Sequence, residues 1–229
     1  VLEGWQHLVD RLAEDDEDLK GEIRIYCSVT ASLSILPKLL NAFRSTYPNV
    51  HIRLQTGDAS AAIQKVSAGD CDVAVSALPE KIPPVLAFKV LAETSLIFIA
   101  PKMTSSFSCA LGENRNWQDI PFILSERGVA RRKIDAWFRS EDIKPNIYAR
   151  VSGHEAIISM VALGCGVGIV PKLVIEKSPL KNTVSILREQ PLLSPYTVGI
   201  CVQTKKIHSP LVRAFWELAD SAAEKQRPR

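Results

Sequence analysis

Four short stretches of the chain place hydroxyl, carboxylate, guanidinium or imidazole groups where an apolar run meets the start of a helical pattern. They are Cys27-Ser28-Val29-Thr30-Ala31-Ser32, Thr56-Gly57-Asp58-Ala59-Ser60, Ser125-Glu126-Arg127-Gly128-Val129-Ala130-Arg131 and Val151-Ser152-Gly153-His154-Glu155. A helix start offers unpaired backbone N–H groups and the positive end of the helix dipole, so such junctions attract a carboxylate. The first stretch carries three hydroxyls within five residues. Capping by Ser32 or Thr30 uses one, which leaves Ser28 or Thr30, beside the small Ala31, for a ligand. In the second, Gly57 permits close backbone approach, and Asp58 suits a helix cap first and a ligand hydroxyl second. In the third, Ser125 precedes Arg127 and Arg131, either of which can pair a carboxylate bidentately. In the fourth, Ser152 stands three residues before Glu155, the spacing of a capping box, and His154 can face a ligand as a donor. Together the four junctions suit one polar anion with hydroxyl or keto groups.

Catalytic chemistry fits the residues less well. His154-Glu155 begins like a zinc-protease motif, but position 158 is Ile where the second His ligand is needed. His7, His51, His154 and His208 are scattered. Gly164-Cys165-Gly166-Val167-Gly168 resembles a dinucleotide loop in composition, yet a helical pattern precedes it and a strand follows, the reverse of a phosphate-binding turn. Those glycines read as a helix end and a place of tight helix–strand packing. No Walker A or GxSxG pattern occurs, and no nucleophile–base pair stands out. The expectation is a binding domain with no catalytic residue, no metal and no cofactor.

The elements that must position these groups follow from periodicity. Glu22–Val29 alternates as a strand, Ser32–Tyr47 is helical and stops at Pro48, and Val50–Thr56 is a strand. A helix with Ala62, Ile63 and Val66 inward ends at Gly69, and Cys71–Ala77 is a buried strand. This βαβαβ order predicts a parallel sheet with right-handed crossovers. Leu86–Ala100 is long and apolar and reads as two strands, or as one strand leaving the first unit for a second. After a polar stretch the pattern restarts: strand Pro121–Leu124, helix Val129–Arg139, strand Asn146–Val151, helix His154–Leu163 and strand Val167–Val170. A turn or two of helix at Pro171–Glu176 and strands at Val184–Leu187 and Tyr196–Val202 come next. A final helix, Ser209–Glu224, packs back on the first unit. If Tyr196–Val202 pairs with the strand near 94–100, two α/β lobes are joined by two crossing hinge strands, with a ligand cleft between them. The predicted units are lobe I at 21–93 with 203–229, and lobe II at 94–202. Residues 1–20 read as the end of a linker helix and an acidic linker, cut from something longer.

The composition is that of a globular chain. It has 229 residues, 46% hydrophobic and 23% charged, enough for two lobes of about 100 residues each. A net charge of +3 is too mild to argue for nucleic acid, and Arg131-Arg132-Lys133 reads as a solvated helix face. Five cysteines (Cys27, Cys71, Cys109, Cys165 and Cys201) have no CxxC pair and sit mostly in apolar runs, which points to a reducing cytoplasm without disulfides or zinc. No run of about 18 apolar residues predicts a membrane span, and no signal peptide is visible.

Several segments resemble a known family. Ile25–Leu40 with Leu36-Pro37, Tyr47-Pro48-Asn49-Val50, Gly69-Asp70-Cys71-Asp72-Val73-Ala74 and VALGCGVGIVP at Val161–Pro171 are similar to the effector-binding domain of LysR-type transcription regulators. No one motif decides the match; their order and spacing across roughly residues 21–220 do. The resemblance implies a fold like that of type 2 periplasmic binding proteins, with a DNA-binding winged helix-turn-helix preceding and outside this chain. It implies that Ser28, Thr30, Gly57, Asp58, the Ser125–Arg131 loop, Ser152 and His154 lie around the cleft. It further implies a homodimer through lobe I, with helix 32–46 of one copy against the terminal helix of the other, and tetramers when full-length. Within the family, IYCSVTAS, LQTGDASAA, VARRKIDAWF, GHEAIISMVALGCGVGIVP and FWELA resemble activators of branched-chain amino-acid synthesis. That likeness implies acetolactate or acetohydroxybutyrate as inducer and control of the acetohydroxy acid isomeroreductase gene. Two rivals share the two-lobed plan. A solute-binding protein for a small carboxylate would need an export signal and few thiols, and a paired-lobe deaminase would need a reactive group in its cleft.

Overall fold

The computed structural model describes residues 19–102, 116–187 and 191–224. The expected linker helix at 1–13, most of the polar stretch at 103–118, Cys109 and His7 lie outside the described residues. The chain builds two five-stranded sheets by the same plan. In the first unit β1 (Gly21–Cys27), α1 (Val29–Ser34), α2 (Leu36–Thr46), β2 (Val50–Thr56), α3 (Ala62–Ala68) and β3 (Val73–Ala77) follow one another. They are succeeded by β4 (Leu86–Thr94). In the second come β5 (Leu96–Pro101), β6 (Pro121–Ser125), α4 (Val129–Ser140), β7 (Asn146–Val151), α5 (His154–Ala162) and β8 (Val167–Pro171). The short helix α6 (Lys172–Lys177) and β9 (Val184–Ile186) complete it, and β10 (Tyr196–Gln203) and α7 (Pro210–Glu224) return to the first.

The strand orders are β2-β1-β3-β10-β4 and β7-β6-β8-β5-β9. In each sheet three parallel strands from a βαβαβ unit are followed by an antiparallel strand, β10 in one and β5 in the other. Period-two alternation gives each sheet two apolar faces. On the first, Ile23, Ile25, Val73, Val75, Ile200 and Val202 pack with Leu36, Leu39 and Phe43 of α2 and Val212 and Phe215 of α7. Tyr26, Ala74 and Cys201 face the other way, onto Ala62 and Val66 of α3. The second sheet packs Phe98, Phe122, Leu124 and Ile169 on Ile134, Trp137 and Phe138 of α4. Its opposite face packs Ile97, Ile99, Ile123 and Val170 on Ile157, Ile158 and Val161 of α5.

Of the two readings of the long apolar run at 86–100, the structure takes the first: two strands divided at Ser95, where the chain crosses between sheets. Two sequence expectations need correction. Strand β10 pairs from Tyr196↔Thr94 back to Gln203↔Leu86, along β4, and only meets the 94–100 segment at its first residue. Tyr196–Gln203 therefore belongs to the first sheet, not with residues 94–202. Alternation marks a strand but not its partner; the insertion between β3 and β4 is fixed by burial of Ile200, Cys201 and Val202 in the first core. The helix expected at 32–47 is two helices. It starts at Val29 and breaks at Ile35. Pro37, in the first turn of α2, has no N–H to extend α1 and its ring crowds the preceding turn. The glycine run behaves as expected. A Cβ on Gly168 would lie 2.6 Å from Ile157 and 2.9 Å from Val161, so α5 packs on β8 at a distance only glycine allows.

Candidate functional site

The C-terminal ends of the parallel strands in both sheets open onto one cleft of about 790 Å³. This is the position where open α/β sheets hold ligands. From the first unit come Ser28 after β1, Gly57 and Asp58 after β2, and Ser76 and Ala77 at the end of β3. From the second come Ser125 to Arg127 after β6 and Ser152 to Glu155 after β7. Tyr196, at the start of β10, lies between them.

Both helices entering from the second unit begin on a glycine that turns sharply. Gly128 (φ 102°) precedes α4 and Gly153 (φ 85°) precedes α5, and neither helix has a side-chain cap. Their first amides therefore face the cleft without an internal acceptor. This corrects the capping-box reading of Ser152. Position 153, not 152, makes the turn into α5, and the Ser152 hydroxyl donates to Glu126 Oε2 at 3.0 Å.

The first junction also differs. Ser28 is the cap of α1, its Oγ accepting from Ala31 N at 3.1 Å, while Ser32 donates back to the Val29 carbonyl at 2.7 Å. Ser28 lines the cleft while serving the helix. Thr30 donates to Glu155 of the facing unit. With Ala31 it borders a smaller cavity of about 60 Å³ adjoining the main one, walled by Ile35, Val75, Leu173, Val174 and Val198. At the second junction a Cβ on Gly57 would sit 2.4 Å from the Tyr26 hydroxyl, which donates to the Asp58 carbonyl at 3.0 Å. Asp58 caps the following turn, accepting from Ser60 N at 2.9 Å and Ser60 Oγ at 2.8 Å.

Arg127 reaches across the cleft to Asp58, Nε to Oδ2 at 2.9 Å. Burial alone would push the Asp58 carboxyl up; the Ser60 amide and hydroxyl and Arg127 more than offset it and hold the group below its usual range. Arg131 does not line the cleft. It donates to Asp135 Oδ1 at 2.8 Å and to the Ser125 carbonyl at 2.9 Å. One residue on, the helix turns Arg132 toward the cleft rim, 3.5 Å from Glu80 of the other unit.

Among the described residues, three polar atoms in the cleft are buried without a partner: Ser76 Oγ, Ser125 Oγ and His154 Nε2. Burying such groups unpaired costs roughly 1–3 kcal/mol each. His154 is partly buried, and burial lowers its pKa against the opposing pull of Glu155 and Asp58. Ser125 and His154 were legible from their junctions. Ser76 was not singled out, although it is the one polar residue of the buried strand Val73–Ala77.

A family model described as the LysR substrate binding domain matches residues 16–224. The chain is a LysR substrate-binding domain. It is 42% identical over 218 residues to the HTH-type transcriptional activator IlvY of Salmonella typhimurium, covering 93% of this chain and 74% of that protein. The IlvY of Escherichia coli strain K12 gives the same identity, and that of Haemophilus influenzae is 40% identical over 220 residues. Among solved structures, the effector-binding domain of QuiR in complex with shikimate aligns with a TM-score of 0.77 at 18% identity, covering 92% of this chain and all of that one. The cofactor-binding domain of the Cbl regulator aligns at 0.75 with 20% identity, over 89% of this chain and 90% of that one. These structures share the fold. As a LysR domain related to transcriptional activators, the chain is a ligand-sensing regulatory unit and not an enzyme. No helix among the described residues is long and apolar enough to cross a membrane.

Proposed function

We propose that this LysR domain senses a small 2-hydroxy-3-keto acid, acetolactate or acetohydroxybutyrate, and thereby controls expression of acetohydroxy acid isomeroreductase. One observation carries the reading: three buried, unpartnered polar atoms from facing units converge on one cleft. The chemistry of such an acid complements them. Its carboxylate suits the uncapped amides of α4 and α5. Its hydroxyl and keto oxygens suit Ser76 and Ser125, its alkyl groups suit the small apolar cavity alongside, and His154, at the start of α5, lies beside the carboxylate. The relationship to IlvY supports the choice among acids. The cleft is wider than so small a ligand needs, so binding draws the two units together, and the Thr30–Glu155 and Arg127–Asp58 contacts already span that gap. The regulator works in the cytoplasm as a homodimer through the first unit, tetrameric when full-length, and touches DNA only through a domain outside this chain.

Thermal shift with each acid, against pyruvate and isobutyrate as controls, tests the assignment. Ligand at about a hundred times its Kd adds roughly 2.7 kcal/mol of apparent stability. In a domain of this size that raises Tm by roughly 5–10 °C. No shift with either acid, with a shift from another carboxylate, would remove the inducer assignment.

A further inference from the structure

Among the described residues, each cation that lines the cleft already has a carboxylate partner. Arg127 is bound to Asp58 and Arg132 to Glu80. Arg131, next in the same region, is bound to Asp135 and turned away. Among the described residues, three carboxylates, Asp58, Glu126 and Glu155, line the cavity beside two guanidiniums, Arg127 and Arg132. The helix starts of α4 and α5 contribute roughly half a positive charge each, which balances the excess carboxylate and leaves nothing over. The cleft is open at its rim, but an anion drawn down to the buried Ser76 and Ser125 would meet no net positive charge, and an uncompensated buried charge is costly. One group can supply it. His154 is partly buried, its Nε2 is shielded from solvent and has no partner among the described residues, and it lies at the first position of α5 among the residues that line both cavities.

We infer that binding of the acid takes up one proton from solvent on His154, so that an imidazolium N–H donates to the ligand's carboxylate. This rests on the anionic ligand proposed above and adds how the site recognises its charge. No bond other than N–H forms; the proton comes from water or buffer and returns there on release. The titratable groups that line the cleft with His154 are Glu155 on its own helix, Asp58 after β2, Glu126 after β6 and Tyr196 at the start of β10, with Arg127 and Arg132 on the same walls, and of these Glu155 and Asp58 act on its ring. Glu155 and Asp58 both favour the protonated ring, but burial outweighs them and keeps it neutral in the free protein. Burial also holds the Tyr196 phenol well above its usual range, so it donates no proton in this window. The added negative charge of the ligand is what tips the balance.

Calorimetry with racemic acetolactate in phosphate and in Tris, across pH 6.5 to 8.5, reads the proton directly. Wild-type protein is expected to take up close to one proton per ligand above pH 7, with affinity falling about tenfold per pH unit there. His154→Gln keeps an N–H donor and is expected to bind with no uptake and a flat pH profile. Nitrogen NMR of the histidines in the free wild-type protein gives a second measurement that needs neither variant nor ligand, and His154 is expected to take up its proton at lower pH than an ordinary histidine. Tight binding without proton uptake, the same uptake in H154Q, or ordinary titration of His154 in the free protein each overturns the inference and leaves the ligand assignment standing. Absence of any binding by either acid overturns that assignment first and the inference with it.

Discussion

Immediately before β3, Asp72 accepts hydrogen bonds from Arg24 N, Arg24 Nε and Arg24 Nη2 and from Lys206 Nζ, all between 2.7 and 3.1 Å. At the other end of the same strand, Ser76 Oγ is as well buried and has no partner. Asp72 ties β1, β3 and the turn after β10 together and leaves nothing for a ligand. Its carboxyl is held down at about 2: burial would raise it, but the bonds from Arg24 and Lys206 dominate. The N-terminal end of the sheet is a closed polar account, and the C-terminal end is an open one. Polar satisfaction marks structure, and its absence, repeated at Ser76, Ser125 and His154, marks the place kept for something else.

The largest effect that sharpens this contrast comes from Asp72→Ala. It strands two cations, each still partly in water, so the expected loss is about 2–3 kcal/mol of stability. Urea unfolding should show a lower midpoint with unchanged slope. Ligand affinity should stay within about twofold, since Asp72 lies outside the cleft. A tenfold loss of affinity would break the separation of the two ends.

The two ends also answer pH differently. Asp72, at about 2 when folded against an ordinary 3.8, contributes its stability in full above about pH 4 and loses it as pH falls toward 2. The span corresponds to about 2 kcal/mol. His154 acts at the other end of the scale. Its folded value is lowered, so below the ordinary histidine value of about 6.5 the unfolded chain binds a proton that the folded chain does not, and stability falls as pH drops. Stability measured from pH 8 to 3 should decline in two steps. Asp72→Asn should shrink the acid one, leaving the part due to Asp58, and His154→Gln should remove the one nearer neutrality.

Smaller still is the expected effect of Ser76→Ala. Removing an unpaired buried hydroxyl should leave the free protein as stable, or stabilise it by up to about 1 kcal/mol. The same change should weaken the acid by a few-fold to about tenfold, the worth of one hydrogen bond. Opposite signs in unfolding and in calorimetry are the signature; a loss of stability would mean the hydroxyl has a partner in the free protein.

How far the sequence carried these conclusions differs by element. The repeated βαβαβ order was legible because apolar periodicity changes sharply between strands and helices, and Gly69 and Pro48 punctuate it. The place of β10 was not, because antiparallel insertion depends on a partner more than a hundred residues away. In the cleft, residues at strand–helix junctions were legible: Ser28, Gly57, Asp58, Ser125, Arg127, Ser152 and His154 all line it. Arg131 was chosen where Arg132 faces the cavity: the helix start at Val129 was read correctly, but one residue rotates a helical side chain by about 100°, and which of two neighbouring arginines faces the cleft depends on the opposite wall. Ser76 escaped because β3 runs into a loop with Pro79, Pro83 and Pro84 rather than a helix, and its chemistry shows only once the facing wall is in place.

The smallest effect separates recognition from closure. Arg127 crosses the cleft, but two-thirds of its side chain is exposed, and exposed pairs contribute at most about 1 kcal/mol. Arg127→Ala should therefore cost only a few tenths of a kcal/mol in stability. Its loss frees Asp58, still bonded to Ser60, to face an incoming anion without a neutralising partner. The expected result is a two- to fivefold weaker affinity that is more evident at low salt, with most of the change in the association rate, since rim charges act on encounter. Proton uptake should persist, because His154 is untouched. A loss of a hundredfold, accompanied by loss of uptake, would make Arg127 rather than His154 the counter-charge and would place the open end of β3 at the rim of the cleft instead of its floor.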